Sequence, residues 1–84
     1  MDKRIGVVGI VIEDFESAHM VNMTLHELSD IIIGRMGVPR KDRGIAIISL
    51  IVEGTTDEIS AMTGRLGKIK GVNVKSALTK KTGK

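Results

Sequence analysis

His19 and His26 are the only imidazoles in the chain, and Glu13-Asp14 and Asp57-Glu58 are its adjacent carboxylate pairs. Acid–base and metal chemistry would have to start from these groups. The histidines stand seven positions apart, which on a helix is two turns and roughly 10.5 Å. A metal shared on one helix takes ligands three or four positions apart, so the pair reads as polar flank residues. Neither histidine has an evident serine or acid partner, and carboxylates adjacent in sequence need not converge. The chain has no cysteine, which excludes disulfides, thiolate metal sites and cysteine nucleophiles. The residues therefore predict no enzyme, no cofactor and no metal.

One constellation fits binding better than catalysis. Glu13, Asp14 and Phe15 follow the first apolar run, and Arg43 lies in the charged connection Arg40-Lys41-Asp42-Arg43. Topology brings these segments, with Lys68 and Lys70, to one end of the molecule. Such a charged rim suits a small zwitterion or anion. At the opposite end, Gly54-Thr55-Thr56 opens a helix, but Thr55 is needed as its cap. Gly6-x-x-Gly9 lies inside a strand and does not lead into a helix, so a dinucleotide-type phosphate turn is unsupported.

The elements that position these residues follow from periodicity. Arg4–Glu13 reads as strand one, and Asp14 caps a helix running to about Ser29. Phe15, Ala18, Val21, Leu25 and Leu28 fall on one side of it. Ile31–Val38 is strand two, and Pro39–Arg43 with Gly44 is a hairpin-like connection to strand three, Ile45–Glu53. Thr55 and Glu58 form a capping box before a second helix with the stripe Ile59, Met62, Leu66 and Ile69. Gly71 stops it, and Val72–Leu78 alternates as a lysine-bearing edge strand.

The order β-α-β-β-α-β predicts an α+β ferredoxin-like fold over a single domain, residues 1–84, with residues 79–84 frayed. Its four-stranded antiparallel sheet has the order 4-1-3-2, with both helices on one face. The two central strands, Ile5–Ile12 and Ile45–Val52, are apolar at both alternating sets of positions. A strand buried on one side alternates apolar with polar residues. The face without helices therefore needs a cover that two helices cannot supply, and a homo-dimer or tetramer is expected. Val8, Ile10, Ile12, Ile48 and Leu50 are the candidate interface residues of the sheet. Met20 and Met23, off the core stripe of the first helix, are candidates on its outer side. A line of small residues, Ser60, Gly64 and Gly67, marks a possible close approach on the second helix.

Net charge is +3, but after Glu58 come seven basic residues and no acid. A solvated lysine-rich end explains this, and a nucleic-acid face through Lys75, Lys80 and Lys81 is the alternative. Phe15 is the only aromatic, so base-stacking recognition of single strands is not expected. No apolar stretch reaches the ~20 residues of a membrane span. Together with the lack of a signal-peptide pattern, this predicts a cytoplasmic protein.

Several segments resemble the iron-only hydrogenase system regulator family: Ile31-Ile-Ile-Gly-Arg-Met-Gly-Val-Pro39, Gly44-Ile-Ala-Ile-Ile-Ser-Leu-Ile-Val52 and Gly54-Thr-Thr-Asp-Glu-Ile-Ser-Ala61, with Lys3–Ile10 and Gly71–Ala77. The resemblance spans about residues 3 to 80. It implies an ACT-like domain, similar also to the C-terminal domain of the nickel-responsive repressor, whose relatives assemble through their sheets. The implied role is an oligomeric regulatory or effector-binding domain, with a small molecule such as an amino acid as its effector and a protein partner in hydrogenase maturation or regulation. A purely structural interaction subunit is the other reading. The nickel repressor's histidine- and cysteine-rich site has no counterpart here.

Overall fold

A computed structural model describes residues 2–79. Strand β1, Arg4–Ile12, is followed by a 3-10 turn at Phe15–Ser17 and helix α1, Ala18–Glu27. A second 3-10 turn, Ser29–Ile31, leads into strand β2, Ile32–Arg40. A third, Lys41–Arg43, leads into strand β3, Ile45–Gly54. Helix α2, Thr56–Gly67, and strand β4, Val72–Leu78, complete the domain. The sheet order is β2-β3-β1-β4 with every neighbouring pair antiparallel. This is the expected 4-1-3-2 sheet of an α+β ferredoxin-like fold.

Local chemistry accounts for the element ends. The Thr55 hydroxyl accepts from the Glu58 N–H at 3.1 Å, and the Thr55 N–H donates to Glu58 Oε1 at 2.8 Å. The expected capping box therefore opens α2. Gly44 (φ 69°) and Gly71 (φ 73°) are left-handed, a conformation that costs a side-chain-bearing residue about 1–2 kcal/mol. β2 continues through Pro39, because an edge strand can spare one N–H.

The first helix differs from expectation. Its opening turn is 3-10, three residues per turn, which rotates Phe15 out of phase with the later stripe. Phe15 is 44% exposed, and Ser17 is buried in its place.

The core lies between the helices and one face of the sheet. Val21 and Leu25 of α1 and Ile59, Met62 and Leu66 of α2 pack with Val8, Ile10, Ile12, Ile48, Leu50 and Val52. All of these sheet residues share one parity, as their ladder partners show.

Candidate functional site

The turn that follows β1 is fixed by contacts with the turn that follows α2. The Glu13 N–H donates to the Gly71 carbonyl at 2.7 Å, and the Ser17 hydroxyl donates to the Lys70 carbonyl at 2.6 Å. Asp14 caps the 3-10 turn by accepting from the Glu16 N–H at 3.0 Å, and its other carboxylate oxygen lies 4.0 Å from Lys70 Nζ. Two turns are thereby tied together, the one after β1 and the one after α2. Glu13, Asp14 and Phe15 stand at this corner with Lys70. Ser17 and the Lys70 carbonyl are the fixing contacts that periodicity did not reveal.

Arg43 sits at the same end of the sheet, since Ile12 pairs with Ala46 and Arg40 with Ile45. Among the described residues no hydrogen bond or ion pair joins Arg43 to Asp14. The ion pair in that turn is Arg40 with Asp42 at 3.2 Å, in water.

His19 and His26 line a shallow hollow of about 260 Å³ with Asn22, Met23 and Glu27 on the outside of α1. Among the described residues no three His, Asp or Glu side chains gather as a metal would require. Among the described residues nothing lies within 4 Å of a Cβ added at Gly64 or Gly67. Arg65 is paired with Glu27, and Lys75 stands on the edge strand. Lys80, Lys81 and Lys84 lie outside the described residues, as does residue 80 onward of the segment expected to fray.

The larger feature is the face of the sheet without helices. It corrects the choice of interface residues. Val8, Ile10, Ile12, Ile48 and Leu50 are 6% exposed or less and lie beneath the helices, so they cannot meet a partner across the open face. The open face carries the other parity: Val7 (49% exposed) and Ile51 (46%), with Val11 and Ile47 beyond them. Met36 and Val38 of β2 join them through the pairs Met36–Ser49 and Val38–Ile47. The signal for this assignment lay in β3, where Ser49 and Glu53 interrupt one alternate set and nothing polar interrupts Ala46, Ile48, Leu50 and Val52. Met20 and Met23 are both exposed on α1.

A family model described as TM1266-like, iron-only hydrogenase system regulator, matches residues 4–76. Among solved structures, the chain is similar to the uncharacterized protein TM1266 from Thermotoga maritima. The identity is 41% and the TM-score 0.88, over 94% of this chain and 100% of that one. It is also similar to CPII from Thiomonas intermedia K12, a nitrogen regulatory PII-like protein bound to ADP, AMP and bicarbonate. There the TM-score is 0.50 at 13% identity, over 94% and 99% of the two chains. Divalent ion tolerance protein CutA1 from Ehrlichia chaffeensis matches with a TM-score of 0.50 at 15% identity, over 96% and 86%. These last two likenesses show a shared fold alone. No curated protein matches the chain.

Proposed function

The chain belongs to the TM1266-like family of iron-only hydrogenase system regulators, and from that premise we propose that it is a small, non-catalytic regulatory subunit that self-associates and responds to a small-molecule effector. The observation that carries this reading is the open sheet face. Val7, Ile51, Met36 and Val38 are each 45% exposed or more, and a contiguous apolar surface of this kind marks an interaction site. Among the described residues, those that could do chemistry do not gather into a nucleophile–base or two-carboxylate arrangement.

The effector site we propose is the corner formed by Glu13, Asp14 and Phe15 with Arg43 across the sheet end. An ammonium group would meet the carboxylates, an anionic group Lys70 or Arg43, and an apolar portion the exposed Phe15 ring. CPII shares the fold and binds nucleotides and bicarbonate, so the fold is compatible with small-molecule sensing. An effector acts on assembly only through a difference in affinity for two states.

Calorimetric titration with amino acids, nucleotides and bicarbonate tests the effector. Binding should appear with a member of these classes and weaken about tenfold in Arg43→Ala. Silence across all three would leave a purely structural interaction subunit. The regulatory role is read separately, since deletion of the gene should change the level or activity of the iron-only hydrogenase in the cell.

A further inference from the structure

We propose that His19, Met23 and His26 form a site for one soft monovalent cation, copper(I) or its redox-inert analogue silver(I), on the outer face of α1. The site is independent of both the effector corner and the open face of the sheet.

Two imidazoles seven positions apart are separated by roughly 10.5 Å along a helix, too far for neighbouring turns to supply both to one ion. Met23 divides that gap. It stands four positions after His19 and three before His26. These are the two spacings at which helical side chains are neighbours, with Cβ atoms about 5–6 Å apart. α1 buries Val21, Thr24 and Leu25, so the three donors fall on the side turned away from the core. All three line one hollow of about 260 Å³. The chain has two histidines in all, and both stand in this hollow. Met23 is 49% exposed, so an ion reaches it from solvent without opening the core.

The donor set selects the class of ion. Thioether sulfur is a soft donor and imidazole an intermediate one, a pairing that suits copper(I) and not magnesium, calcium or manganese. The oxygen-bearing side chains of the hollow, Asn22 and Glu27, are engaged elsewhere. Asn22 Oδ1 accepts from Arg35 Nη2 at 2.5 Å, and Asn22 Nδ2 donates to the Ala18 carbonyl at 3.1 Å. Glu27 Oε1 accepts from Arg65 Nη2 at 2.5 Å. Two nitrogens and one sulfur are left, one donor short of the four of a structural zinc site. A filled-shell monovalent ion is satisfied by two or three donors, here two imidazoles approaching from opposite ends with the sulfur between them. Arg35 and Arg65, on the flanks of the hollow, oppose a divalent ion more than a monovalent one. The same two contacts tie α1 to β2 and to α2, so the backbone that carries the donors is fixed before the ion arrives.

The test is anaerobic titration of the full chain with silver(I) by calorimetry, and with copper(I), kept reduced by ascorbate, against a chromophoric copper(I) chelator. One ion should bind per chain. In magnetic resonance spectra the ring signals of His19 and His26 and the methyl signal of Met23 should shift together. Met23→Leu and His26→Gln should each weaken binding at least about tenfold. Their circular dichroism should be unchanged, since both side chains are exposed. Met20→Leu, at a residue 56% exposed on the same helix but outside the hollow, should bind as wild type does. No uptake of either ion overturns the site. Binding undiminished in Met23→Leu, or silver(I) displaced by equimolar zinc(II), overturns the assignment to a soft cation. An equal loss in Met20→Leu, or one ion per two chains, overturns a three-residue site within one chain. If a variant fails to fold, the wild-type spectra decide: shifts at Met20 or Met36 in place of Met23 overturn the assignment.

Discussion

The Ser17 hydroxyl donates to the carbonyl oxygen of Lys70 at 2.6 Å, across 53 positions of sequence. This bond fixes the start of the first helix to the turn that ends the second, and it forms beside the proposed effector corner. Ser17→Ala would leave the Lys70 carbonyl without that donor. The expected loss is about 1 kcal/mol, typical of one buried hydrogen bond, read as a lower urea midpoint at unchanged slope.

Gly71 and Gly44 share a left-handed backbone but not surroundings. An added Cβ at Gly71 would stand 2.7 Å from Asp14 Cβ, whereas at Gly44 it would meet none of the described residues within 4 Å. Gly44→Ala should therefore cost about 1 kcal/mol of conformational strain. Gly71→Ala should cost at least about 2 kcal/mol, since crowding adds to a similar strain. Equal thermal losses in the two variants would show that the approach of Asp14 is unimportant.

The reciprocal cap of α2 predicts coupling. Thr55→Ala and Glu58→Ala should each lower stability by about 1 kcal/mol. The double variant should lose less than the sum, because either single change already breaks the box. Strict additivity in a denaturation cycle would rule the box out as a unit.

Neighbouring positions of β3 should differ sharply. Leu50 is fully buried and Ile51 is 46% exposed. Leu50→Ala should cost about 2–5 kcal/mol through the cavity it leaves. Ile51→Ala should cost under about 1 kcal/mol at dilution, where only one copy is present. The loss at Ile51 should grow as concentration rises, because the side chain then becomes buried.

Much of the architecture could be read along the chain because local signals agreed with one another. Asp14, Thr55-x-x-Glu58 and Gly71 stand where the structure turns, and the two alternating apolar runs are the central strands. The parity of the sheet was harder, since Val7 and Val8, or Leu50 and Ile51, are equally apolar. Alternation shows that two faces exist, and the polar Ser49 and Glu53 in one alternate set of β3 are the local sign of which is left open. Asp14 is legible as a cap from its type and place, and the topology puts Lys70 at the same end. Phe15 was misphased because three residues of 3-10 turn precede the α-helix. The tie from Ser17 to Lys70 escaped because it spans distant turns and leaves no periodic trace.

The sheet order has a consequence for biosynthesis. β1 is made first, yet both strands that flank it, β3 and β4, come later in the chain. A nascent chain on the ribosome thus holds Val8, Ile10 and Ile12 without their final neighbours until Val72–Leu78 has emerged from the exit tunnel. The domain can close only once β4 is available to pair with β1.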